Sequence, residues 1–137
     1  MKFFLISLAT VTMIIFCGCE DPIGPGNCPN HVDVTVQIKE QPIFSWSPSC
    51  EADNIIVYYN QELTSGLNVL DPVWSIEGKE NGISPPIIYG INPEGTIESI
   101  PAIQLIAGEK YTLKVIRKIE SIGPYDYIGE LDFLYIH

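Results

Sequence analysis

The chain has 137 residues, 17 acidic and 7 basic, giving a formal net charge of −10 at neutral pH. That length supports one domain with a single core and not two. The acidic balance leaves no basic patch to displace counterions from phosphates, which sets nucleic acid aside as a partner; it suits instead a domain kept soluble beside a surface.

The chain opens with Lys2, then an uncharged run from Phe3 to Phe16, then the small Gly18 and Cys19. Positive charge, apolar run and small-residue exit, in that order, read as a secretory signal. The run has 14 residues, against the roughly 20 that a membrane-spanning helix needs. Glu20-Asp21-Pro22 follows directly and does not continue a helix. Only Ser7, Thr10 and Thr12 interrupt the run, so it lacks the polar stripe of a buried amphipathic helix.

The exit is more specific than an ordinary cleavage site. Phe16-Cys17-Gly18-Cys19 resembles the bacterial lipoprotein signal, in which an apolar residue, a small one and glycine or alanine precede a cysteine. The resemblance implies that residues 1–18 are removed, that Cys17 leaves with them, and that Cys19 becomes the diacylglycerol-bearing amino terminus. It further implies a cell-envelope protein, periplasmic or surface-exposed, held by lipid to a bacterial membrane. Phe16 and Cys17 stand where leucine and alanine or serine are usual. Two acyl chains anchor stably where one binds only marginally. Plain secretion is the rival reading.

Residues 19–30 then form a tether, with Pro22, Pro25, Pro29, Gly24 and Gly26 favouring extended backbone. The domain proper is expected over residues 31–137. Cys28 and Cys50 are the two remaining thiols, and in an oxidising compartment they suggest a disulfide. Free thiols are one alternative. A metal site is another, but His31 beside Cys28 gives too few ligands for tetrahedral zinc.

Beyond the tether the chain reads as strands and turns. Val32 to Lys39 alternates apolar and polar residues throughout, the period of a half-buried strand. Ile43–Trp46 is a second strand and Asn54–Tyr59 a third, rich in β-branched and aromatic residues. Val73–Ile76 is a short fourth. Thr96 to Leu105 contains a fifth, which Pro101 confines to an edge or a bulge. Lys110–Ile119 is a sixth, with Tyr111, Leu113 and Val115 sharing one face. Tyr127–Ile136 is a seventh, with Leu131, Phe133 and Tyr135 set against Glu130 and Asp132. No window shows helical periodicity, so about seven antiparallel strands around one core predict an all-β sandwich.

Trp46 followed by Ser47-Pro48, Ile55-x-Val57-x-Tyr59, and Leu105-x-x-Gly108-x-x-Tyr111 together resemble the fibronectin type III pattern within the immunoglobulin-like sandwiches. The last spacing resembles that family's tyrosine corner, which implies a ring in the core and a hydroxyl bonded to backbone a few residues upstream. The stretch between Tyr59 and Thr96 is longer than the family needs. It carries Trp74, the Gly78–Gly82 turn and Tyr89.

Catalytic chemistry finds little support. His31 and His137 have no neighbours suggesting a triad, and there is no G-x-S-x-G elbow, phosphate-binding glycine loop or H-E-x-x-H. Glu51 with Asp53 lacks the spacing of a calcium loop, and Glu130 with Asp132 reads as a solvated strand face. No catalytic residue, metal or cofactor is assigned. The basic positions Lys114, Arg117 and Lys118 read as a wet strand face. Among the aromatics, Trp74, Tyr89, Tyr125 and Tyr127 fall in or beside turns, and Trp74 and Tyr89 are the candidate ligand contacts, against the alternative that Trp74 simply closes one end of the core. The resulting expectation is a non-enzymatic, membrane-anchored binding or structural module with a protein or glycan ligand. The alternative is a carbohydrate- or ligand-capturing lipoprotein that uses the aromatic insert from Trp74 to Tyr89.

Overall fold

The computed structural model describes residues 28–63, 65–118 and 125–137. The expected signal, Cys19 and most of the expected tether lie outside them. The described chain is all-β: β1 (Asp33–Gln37), β2 (Ile43–Ser47), β3 (Asn54–Glu62), β4 (Asn68–Gly78), β5 (Ile87–Ile88), β6 (Thr96–Ile100), β7 (Lys110–Lys118) and β8 (Tyr125–Leu134). They form two antiparallel sheets packed as a sandwich, one ordered β1-β2-β5 and the other β6-β4-β3-β7-β8. The predicted strands are all present, and β5 is an eighth. Pro101 stops β6 at Ile100, and β6 lies at an edge of the larger sheet.

The period-two pattern explains which side chains meet. Val32, just before β1, and Phe44 and Trp46 from the smaller sheet are buried in one core with Ile55, Val57, Trp74, Ile76, Leu113, Val115 and Phe133 from the larger. Aromatic rings cross the interior in series: Phe44 meets Phe133 at 5.5 Å, Phe133 meets Tyr111 at 5.8 Å, and Tyr111 meets Tyr59 at 5.6 Å. Burying each such side chain contributes about 1.5–3 kcal/mol, and offset ring pairs add somewhat more.

Two irregularities shape the sheets. In β4 the register slips between Val57 and Tyr58, leaving Val73 as the extra residue beside Pro72. A bulge tolerates the missing proline N–H, and Val73 through Ile76 are buried consecutively. In β8 the register slips opposite Val115 and Ile116. There the carbonyl of Ile128 accepts the N–H of Val32 at 2.8 Å, joining the two sheets along one side. Close approach at this seam requires a glycine, because a Cβ on Gly129 would lie 2.6 Å from Val34 Cγ2 and 2.7 Å from Val32 Cγ2.

The chain enters the domain at the pole formed by the β2–β3 connection and the far end of β7. At the opposite pole lie the β1–β2 turn, the β3–β4 hairpin, the segment from Pro101 to Glu109, and the carboxyl terminus.

Candidate functional site

At the entry pole, Cys28 and Cys50 are disulfide-bonded with Cα atoms 4.9 Å apart. This removes both the free-thiol and the zinc readings for that pair. Cys28 is buried and belongs to the core. The indole N–H of Trp46 donates to the carbonyl of Cys50 at 3.0 Å, fixing the other half of the bridge. Arg117 reaches the same place. Its guanidinium donates to the Cys28 carbonyl, to Asn30 Oδ1 at 2.9 Å, and to Asp126 Oδ2 at 3.3 Å. A planar fork with several donors suits such a three-way clamp. Arg117 was expected to face solvent; it instead fastens the incoming chain to β7.

Lys114 departs from expectation in the same way. Its side chain is only 16% exposed, with Nζ 3.4 Å from Glu130 Oε2 and 4.5 Å from the centre of the Tyr127 ring. The centre of the Tyr58 ring lies 5.7 Å from the same Nζ, and burial together with the neighbouring Tyr127 raises the Tyr58 phenol above its ordinary value. Glu130 is therefore an ion-pair partner, and Tyr127 is exposed with one face given to a lysine. Asp132 accepts the Thr112 hydroxyl at 2.6 Å, and Thr112 in turn accepts Asn60 Nδ2 at 3.0 Å. Asp53 accepts the backbone N–H of Lys118. His31 sits 3.5 Å from Asp33 at the surface, and His137 lies 6.4 Å from the Tyr135 ring. Among the described residues, no group of three or more His, Cys, Asp and Glu side chains is placed to hold a metal ion.

The candidate ligand contacts Trp74 and Tyr89 are brought together, but inside the protein. Their rings meet edge to face at 5.2 Å, Trp74 is 0% exposed and Tyr89 6%. The β4 bulge is the physical reason. It turns the Val73 carbonyl toward the Tyr89 hydroxyl at 3.3 Å, and the Ile103 carbonyl takes the same hydroxyl at 2.8 Å. Burial raises the Tyr89 phenol well above its ordinary value. Trp74 Nε1 has no acceptor among the described residues. These two rings are core, so the aromatic insert does not present them to a ligand.

What the far pole offers instead is a cleft that no single stretch of sequence announces. Tyr59, Asp71, Pro72, Val73, Ile103, Gln104, Ile106 and Tyr111 enclose about 320 Å³, at the lower end of the roughly 300–1,000 Å³ seen for ligand sites. Tyr111 is held by its corner: its hydroxyl accepts the Ile106 N–H at 2.9 Å. The Tyr59 hydroxyl donates to Glu109 Oε2 at 3.0 Å; that carboxylate bond, with burial second, raises the Tyr59 phenol. A second cleft of about 350 Å³, with Glu40 and Tyr89 in its wall, shares Ile103 and Gln104 with the first. No family model, characterised protein or solved structure matches the chain.

Proposed function

We propose that this chain is an exported bacterial lipoprotein, anchored through Cys19, that displays one fibronectin type III-like β-sandwich as a non-enzymatic binding or structural module of the cell envelope. The observation that carries the reading is the Cys28–Cys50 disulfide. Such bridges persist in oxidising compartments outside the cytosol, in keeping with the signal-like start. Its position supports a tether as well: the bridge and the Arg117 clamp secure the domain 9 residues after Cys19. At about 3 Å per extended residue, that leaves the domain roughly 25 Å from a membrane. Support for the fibronectin type III-like description comes from the two-sheet strand order, from Trp46 in β2 and from the Ile106–Tyr111 bond.

The test is metabolic labelling with a fatty acid, followed by membrane fractionation. The wild-type chain takes up label and sediments with membranes, whereas Cys19→Ala does neither. Absence of label on the wild type, or label that survives Cys19→Ala, refutes the anchor.

A further inference from the structure

We propose that the far-pole cleft receives an extended segment of a partner protein carrying an aliphatic side chain next to a lysine or arginine. This rests on the binding-module reading and names its surface and partner chemistry; it does not depend on the lipid.

The walls select aliphatic carbon. Pro72, Val73, Ile103 and Ile106 line the cleft, and the Tyr59 and Tyr111 rings pack on each other and do not stand free as a stacking platform. Ile103 and Ile106 are 57% and 62% exposed although they lie beside the core. Leu63, Leu67, Val69, Leu134 and Ile136 are also exposed at this pole, a concentration of apolar surface of the kind that marks interaction sites.

The rim selects a cation. Asp71 borders the cleft, and Glu109 touches it through the Tyr59 hydroxyl. Among the described residues neither carboxylate has a cationic side chain within 4.0 Å. Covering them with an uncharged surface would desolvate two carboxylates that have no cationic partner among the described residues, whereas a neighbouring lysine or arginine supplies one. The same charge disfavours the other occupants. A second copy brings its own net −10 and its own Asp71 and Glu109, and an anionic bilayer repels the rim.

Two clefts point to an extended chain. They flank Ile103 and share it with Gln104, and Glu40 borders the second. Residues two apart on an extended segment project to one side, about 7 Å from each other. One segment running over Ile103 therefore serves both clefts.

The test displays random peptides of roughly nine residues to the purified full chain, then measures the enriched ones by fluorescence anisotropy across a salt series. Enriched peptides are expected to share Leu, Ile, Val or Met beside Lys or Arg. Ile106→Glu and Ile103→Glu, both at exposed positions, should each weaken binding by about tenfold or more. Asp71→Asn should weaken it several-fold and flatten its salt dependence. Ile97→Glu, equally apolar and exposed but on β6, should change nothing. Binding that survives both isoleucine substitutions places the site elsewhere, and no enrichment from the library removes the extended-segment partner. Equal affinity for acid-flanked peptides overturns the charge argument. Self-association or vesicle binding abolished by Ile106→Glu assigns the cleft to a second copy or to lipid. Each of these results overturns the proposal. Cys19→Ala, which tests the anchor, should leave peptide affinity unchanged.

Discussion

The backbone N–H of Ile106 donates to the Tyr111 hydroxyl at 2.9 Å, across five residues of connection between β6 and β7. Tyr111 keeps its ring in the core, so this bond ties the wall of the far-pole cleft to the interior of the sandwich. Tyr111→Phe should keep the ring and lose the acceptor. Because Ile106 is partly accessible to water, the expected loss is about 1 kcal/mol, read from urea unfolding. The Ile106 amide should exchange hydrogen faster than in the wild type, while amides in the middle of β7 shift only by the global change.

The disulfide at the other pole constrains the unfolded chain over a separation of 22 residues. In the chain-entropy account this contributes about 3 kcal/mol. Replacing both cysteines with alanine should lower the denaturant midpoint by a corresponding amount. The Arg117 contacts to Cys28 and Asn30 should keep the entering segment docked in what remains folded. Limited proteolysis distinguishes the two effects: the Cys28/Cys50 double alanine variant should unfold earlier yet resist cleavage near Asn30 at low denaturant, and adding Arg117→Gln should abolish that resistance.

Much of the sandwich was legible because its strands obey a period of two. Tyr111, Leu113 and Val115 share one face in the sequence and one core in the fold. The disulfide was legible because the expected signal set Cys17 and Cys19 aside and left Cys28 and Cys50 to pair. What was hidden has one cause in each case. The sequence left Trp74 between core and ligand contact because a bulge buries Val73 through Ile76 in succession, leaving no alternation to show which way the indole points. Strand β5 is two residues long and pairs with Ile43 and Phe44, so its sequence carries no period at all. Lys114 and Arg117 looked wet because single-strand alternation is blind to Tyr127, Glu130 and Asn30, which arrive from elsewhere in the chain. The cleft joins Tyr59, Pro72 and Ile103 from three separate elements, and no local spacing encodes that meeting.

At the seam between the sheets, Gly129 holds β8 close to β1. The atoms that a new Cβ would meet are γ-methyls of Val32 and Val34, which sit on stiff β-branched side chains. Gly129→Ala should therefore force the strands apart and cost about 1–3 kcal/mol as overpacking. If the seam yields, the first sign is loss of the Val32 N–H to Ile128 carbonyl bond, seen as faster exchange at Val32. Trimming Val34 to alanine in the same chain should recover part of the loss. A Gly129→Ala chain as stable as the wild type would count against this packing.

Tyr89 gives the fold an alkaline limit. Burial holds its phenol well above the ordinary value of 10.0, so the folded state keeps a proton that the unfolded chain releases. Stability from this group is therefore fully present below pH 10.0 and is lost as pH rises through that value toward the higher folded pKa. Tyr58 and Tyr59 shift in the same direction. Tyr89→Phe should flatten the alkaline decline without abolishing it. It should also lower stability at neutral pH, since the hydroxyl contacts to Ile103 and Val73 are lost; that cost is about 1 kcal/mol for a net hydrogen bond. Urea midpoints measured from neutral to strongly alkaline pH test both parts. Parallel curves for the two proteins, offset by a constant, would mean that the Tyr89 proton does not report on folding.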